Sequence, residues 1–228
     1  NDPAISVAGD LAISDGAVWT KGDGTATFDG ATQSLSDANT TPNDLGDAFI
    51  DCDILTIATN ATVTSIQISS GSIAIINPSI PFNVNEILTI TGELEMADGS
   101  VVDAGGNVTI TAAGTLDMDG TSGLKMEGDL SFSGTLEASD DSRIDLDGDT
   151  EQTISGTPSS GPAINRLFCS SSATVFNLTA TINDTLDAGG EDFTISAGKT
   201  LTMETGSVTV LSGGTLTRDG ILILSTAS

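Results

Sequence analysis

Histidine and tyrosine are absent from this 228-residue chain, tryptophan occurs once and cysteine twice. Without histidine, neither a Cys-His nucleophile nor a histidine-containing metal site can be built. Positive charge is nearly as scarce. Six cations (Lys21, Lys125, Arg143, Arg166, Lys199 and Arg218) face 32 acidic residues, and the net charge of −26 repels nucleic acid and anionic membranes. No apolar run is long enough to insert into a membrane. Helical spacing of apolar residues is nowhere sustained for a dozen positions. What is abundant is glycine, 26 residues of it, with many threonines and serines. That composition suits thin coils with small turns and argues against a sandwich around an aromatic core.

One short pattern is written three times between Glu86 and Gly148. Leu88-Thr-Ile-Thr, Gly92-Glu-Leu-Glu-Met and Val101-Val-Asp are followed by Val108-Thr-Ile-Thr, Gly114-Thr-Leu-Asp-Met and Leu124-Lys-Met-Glu, then by Leu130-Ser-Phe-Ser, Gly134-Thr-Leu-Glu-Ala and Ile144-Asp-Leu-Asp. The copies start 20 and then 22 residues apart, a repeat-architecture period. Within each, apolar residues fall on every second position, so one face of each strand is dry and the other wet. Stacking buries the dry faces. Leu88, Val108 and Leu130 form one inward ladder, Leu94, Leu116 and Leu136 a second, and Met96, Met118 and Ala138 a third. The expected fold is all-β: a parallel β-solenoid (β-helix) with three short strands per rung of about 20–22 residues. About eleven rungs at ~4.8 Å make a rod of the order of 50 Å. Gly92, Gly99, Gly105, Gly106, Gly114, Gly120, Gly123 and Gly128 are expected to supply its turns.

A longer repeat overlies the first. Phe28-Asp-Gly, Gln33, Thr41-Pro42, Ile50 and Cys52 align with Leu146-Asp-Gly, Gln152, Thr157-Pro158, Leu167 and Cys169, mostly 117 to 119 residues apart. Further on, Ala61-Thr-Val aligns with Ala173-Thr-Val, and Ile87-Leu-Thr-Ile with Asp192-Phe-Thr-Ile at an offset of 105, which implies that half a rung is lost. The chain thus divides into two tandem modules, about 1–120 and 121–228, within one continuous solenoid. Loops are expected to bulge at 36–51 and 156–168, where the pattern lapses. The opening Asn1-Asp2-Pro3 is neither an initiator Met nor a signal peptide, so the chain reads as a processed or excised piece. Both ends continue the pattern without a polar cap.

The succession Phe-Asp-Gly, Gln-x-apolar-Ser, apolar run, Gly-x-Leu-x-apolar resembles the tandem solenoid modules of very large secreted bacterial surface proteins, of the adhesin-like and filament-forming kind. The resemblance implies an extracellular or cell-surface setting and a stalk or scaffold role without shared catalytic residues.

Four features are candidates for chemistry. Glu93, Glu95, Asp117, Asp119 and Glu137 lie on the wet face of one strand in successive copies, a row that Ca2+ would neutralise or that salt would simply screen. Cys52 and Cys169 are too far apart for a bond to each other. They read as buried thiols or, in an oxidising setting, as partners of a neighbouring chain. The outward sets Thr62/Thr64, Thr89/Thr91, Thr109/Thr111, Ser131/Ser133, Thr194/Ser196 and Thr215/Thr217 resemble an ice-binding face, or are ordinary wet strand residues. Asn39, Asn60, Asn107, Asn177 and Asn183 head glycosylation sequons.

The expected function is therefore non-enzymatic: a structural segment of an extracellular filament, stalk or adhesin. Its partner is itself, stacking head to tail where Ile5 and Val7 meet Ile221 and Ile223, or flanking modules of a longer chain. The alternatives are an adhesin module that binds carbohydrate or ice and, less well supported, a polysaccharide-degrading β-helix enzyme. The carboxylates repeat regularly instead of forming an isolated cleft, which favours scaffold over enzyme.

Overall fold

Strict alternation leaves each strand one way to hide its apolar side, which is to lie parallel and in register on the strand one rung away. A computed structural model, describing residues 4–20, 24–139, 141–158, 161–204, 207–209 and 214–224, has this arrangement. Asn1–Pro3 and Lys21 lie outside the described residues. The described residues contain no helix, and every named strand pairs in parallel. They form a three-sided parallel solenoid of about ten turns. Sheet I has eleven strands, from Ile5–Val7 to Leu216–Arg218. Sheet II has seven, from Leu11–Ile13 to Thr135–Ala138, and sheet III has ten, including Ala61–Val63 and Ile221–Leu224 at the two ends of its main path.

The expected ladders are in place. Leu88 pairs with Val108 and Val108 with Leu130. Leu94, Leu116 and Leu136 follow one another, as do Met96, Met118 and Ala138. A continuous apolar core runs from Ile13 to Met203, with Phe82, Ile90, Leu116 and Phe193 almost wholly inaccessible. Each such side chain contributes about 1.5–3 kcal/mol relative to exposure. Of the turn glycines, Gly99 and Gly120 take positive φ. Gly92 and Gly114 are needed for a different reason: a Cβ there would overlap a carbonyl oxygen of the rung below. Gly123 is not in a turn but begins the strand Gly123–Met126.

The rungs are not all complete. Near the start, two rungs have strands only in sheets I and II among the described residues, and residues 14–20 and 38–46 run over the third side as loops. The expected loop at 36–51 is therefore shorter, since Thr32–Asp37 and Asp47–Ile50 are strands. The expected loop at 156–168 is corrected more strongly: Ala163–Cys169 is a seven-residue strand. With Ala180–Asp187 it forms a pair whose register shifts between Ile164 and Arg166. The first halves of these long strands take the place of sheet II beyond Thr135–Ala138, and their second halves continue sheet III.

The two loop segments near the start are tied by a buried carboxylate. Asp37, 4% exposed, accepts hydrogen bonds from the backbone and side-chain amides of both Asn39 and Asn43. The amide oxygens of Asn39 and Asn43 in turn accept from the backbone N–H groups of Gly16 and Trp19. Burial pushes the Asp37 pKa up, but the hydrogen bonds from Asn43 and Asn39 outweigh it and hold the group below the ordinary carboxylate value. A depressed folded pKa contributes stability that is present above the unfolded value, about 3.9, and is lost as pH falls through the folded value. The expected result is that acid below about pH 4 loosens this loop pair. Trp19, the only tryptophan, reports it by fluorescence, and Asp37→Asn should produce the same change at neutral pH.

Candidate functional surfaces

Because strands alternate, everything the rod offers to solvent is a column of side chains at strand spacing. The expected carboxylate row is shorter than its five residues. Glu95, Asp117 and Glu137 stand directly opposite one another on the outside of sheet II. Glu93 pairs with Thr115 in the neighbouring column, and Asp119 lies beyond its strand, in the turn. Burial, then the nearby charges of Asp119, Glu137, Glu95 and Glu93, raise the Asp117 pKa. None of these carboxylates is paired with a described cation. Among the described residues, no three acidic or thiol side chains converge as a metal-binding group. The row is a line of charge at strand spacing, without the converging oxygens of a calcium cage.

A raised carboxyl pKa means that the folded state binds protons more readily, so stability falls as pH rises between the unfolded and folded values. Asp117→Asn is therefore expected to stabilise the rod at neutral pH by roughly 0.5–1 kcal/mol at low salt, and less at high salt. Paired thermal melts at the two ionic strengths measure this.

Sheet III handles its acids differently. Asp103, Lys125 and Asp145 alternate in register. Lys125 reaches Asp147 at 2.7 Å, Arg143 reaches Asp145 at 3.2 Å, and Arg166 joins Asp141 and Asp184. Half of the chain's cations are thus spent on one side of the coil.

Both cysteines are free and buried, at 2% and 1% exposure. Burial raises both pKa values, that of Cys169 to about 12. Thiols so placed do not reach a neighbouring chain. Nor are the two equivalent: Cys169 pairs with Leu146 as Ile50 pairs with Phe28, so Cys169 occupies the place of Ile50.

Two buried glutamines define the long repeat better than the cysteines do. The Gln33 amide donates to the carbonyls of Val7 and Gly9 and accepts from the Gly30 N–H. Gln152 donates to Met126 and Gly128 and accepts from Gly148. Alongside, Ser34 N–H donates to Asp10 and Thr153 N–H to Asp129. The clamps are 119 residues apart in sequence, yet Gln33 lies in sheet II and Gln152 in sheet I. The same spacing persists downstream: Phe82 stacks on Ala61 as Leu201 stacks on Ala180, so the partner of Ala61 is Ala180, not Ala173. No half rung is lost. The copy is turned by one side of the triangle.

Of the hydroxyl set, Thr89, Thr109 and Ser131 form a column on sheet I, which Ser155, outside the expected set, extends. Thr62 and Thr64 lie elsewhere, Thr64 donating to Asp44, while Thr194 and Thr217 pair farther along sheet I. Among the sequon asparagines, Asn39 belongs to the Asp37 cluster, and Asn107 accepts from the Asp129 N–H.

At the ends of the stack, Ile5 and Val7 point inward, over Ala26 and Phe28. Ile221 and Ile223 do not. In Ile221–Leu224 the inward residues are Leu222 and Leu224, which lie over Leu201 and Met203. Ile5, Ile221, Ile223 and Leu224 are 43%, 57%, 44% and 63% exposed. No family model, curated protein or solved structure matches this chain. No helix among the described residues is long and apolar enough to cross a membrane.

Proposed function

We propose that the chain is a non-enzymatic structural segment of an extracellular filament, stalk or adhesin, and that its rods join head to tail. The observation that carries this reading is the pair of exposed apolar strand edges at opposite ends of one stack. In a solenoid whose strands are all parallel, the outer edge of the first rung complements that of the last, since one offers the groups that the other lacks. Ile5–Val7 and Leu11–Ile13 meet Leu216–Arg218 and Ile221–Leu224, so two strands pair with two. Such a contact is heterologous and does not close, so it propagates as a fibre. The partner is a second copy or the adjoining module of a longer chain.

Sedimentation velocity over a wide concentration range tests this, with calcium and then with chelator. The reading expects a linear series of species that grows with concentration. A single species throughout would return the chain to the role of an internal piece of a longer rod. Loss of the series on chelation would give the carboxylate row a part in assembly.

A further inference from the structure

Of the seven phenylalanines, Phe28, Phe82, Phe132, Phe176 and Phe193 are buried. Phe49 and Phe168 face outward and are only half-buried, and they occupy equivalent places in the long repeat, beside Ile50 and Cys169. Their surroundings differ. Phe168 stands between Asp145 and Asp187 on sheet III, next to the Arg166 ion pairs. Phe49 stands on sheet I between Thr27 and Gln67, and it lines an open groove of about 500 Å³.

The groove has an apolar wall and a polar floor. Ile87, 47% exposed, lies two strands from Phe49 and two residues out of register with it, so their Cα atoms are roughly 12 Å apart. Between and beside them lie the Gln67 amide, the Asp47 carboxylate and the hydroxyls of Thr27 and Thr89. No cation lines it. A half-buried, outward-facing aromatic ring bordered by several hydrogen-bonding groups in a concavity is suited to recognition. A pyranose ring matches both parts of this lining. Its axial C–H face is apolar and weakly positive and stacks on the negative face of Phe49, and its hydroxyls exchange hydrogen bonds with a carboxylate, an amide and two threonines. Asp47, with no basic side chain among the described lining residues and in a molecule of charge −26, repels uronate and sulfate groups.

We infer that the groove around Phe49 on sheet I binds a neutral saccharide, with Phe49 as the stacking platform and Asp47 and Gln67 as the hydroxyl-binding groups. This function is separate from the end-to-end contact, since the groove lies on the flank of the rod.

Saturation-transfer NMR on the intact chain tests it with cellotetraose, laminaritetraose, mannotetraose, chitotetraose and tetragalacturonate as probes. Transfer to at least one neutral tetrasaccharide and none to tetragalacturonate is expected. Phe49→Ala should weaken binding about tenfold or more, while Phe168→Ala removes the equivalent outward ring on a different sheet and leaves binding unchanged. A far-ultraviolet spectrum and melt show whether each variant is folded. Gln67→Ala, which changes only an exposed side chain, should weaken binding if Phe49→Ala fails to fold. Binding of none of the neutral probes at about 10 mM, the upper end of useful weak affinities, overturns the inference. So does equal loss in the two phenylalanine variants, or preference for tetramethylammonium, which would make the groove a cation site.

Discussion

Gln152→Ala is expected to lower the stability of the rod by about 3–5 kcal/mol, one of the largest effects any single polar substitution would have here. The side chain is 1% exposed and satisfies three backbone groups from two rungs: the Gly148 N–H and the carbonyls of Met126 and Gly128. Alanine leaves the Gly148 N–H and the Gly128 carbonyl without a partner, at about 1–3 kcal/mol each before relaxation, and opens a cavity as well, while the Met126 carbonyl keeps its bond from the Asp147 N–H. Denaturant melts of the variant measure the loss. Gln33→Ala removes the same bonds at the first rung, close to the exposed edge carrying Ile5, so its global cost should be smaller. Equal and small losses at both positions would mean that the clamps are decorative.

The second large effect concerns assembly. Leu224 points inward at the last described strand yet is 63% exposed, and Ile5 points inward at the first and is 43% exposed. Leu224→Asp or Ile5→Asp leaves a carboxylate in water in the single rod and buries it unpaired in the joined one. Burial of an uncompensated charge costs several kcal/mol, so each variant should join at least ~10³-fold more weakly than the parent chain. Each blocks only one end. Mixed together, the two variants should therefore form two-copy complexes and nothing longer, because Leu224→Asp keeps a functional first edge and Ile5→Asp a functional last edge. Sedimentation of the separate and mixed variants measures this. Chains of undiminished length from either variant alone would show that assembly, if it occurs, does not use these edges.

The fold was legible because alternation carries two pieces of information at once, which side is dry and which residues stack. Leu88, Val108 and Leu130 are flanked by threonines and serines, so their phase is unambiguous, and the structure has them in one ladder. Where alternation fails, so does the reading. Ile221-Leu-Ile-Leu is apolar throughout, and its sequence cannot say that Leu222 and Leu224 are the inward pair. The stretch 156–168 looked like a loop because Gly156, Pro158, Gly161 and Pro162 crowd its first half, yet Ala163–Cys169 is held as a strand by pairing on both sides. Aligning Cys52 with Cys169 followed residue identity, whereas stacking equates Cys169 with Ile50. The Phe49 groove was missed for a related reason. Asp47-Ala-Phe-Ile has its aromatic residue in an outward phase, but its isoleucine and alanine hide that phase until the pairing with Thr27 and Gln67 is known.

Cryo-electron microscopy of the purified chain at high concentration tests the central claim most directly. The account predicts unbranched fibres one rod wide, with a ~4.8 Å axial repeat that runs unbroken from the last rung of one copy into the first rung of the next. Separate rods of the order of 50 Å at every concentration, or fibres built by side-to-side contact of sheet faces with the apolar edges left open, would contradict it.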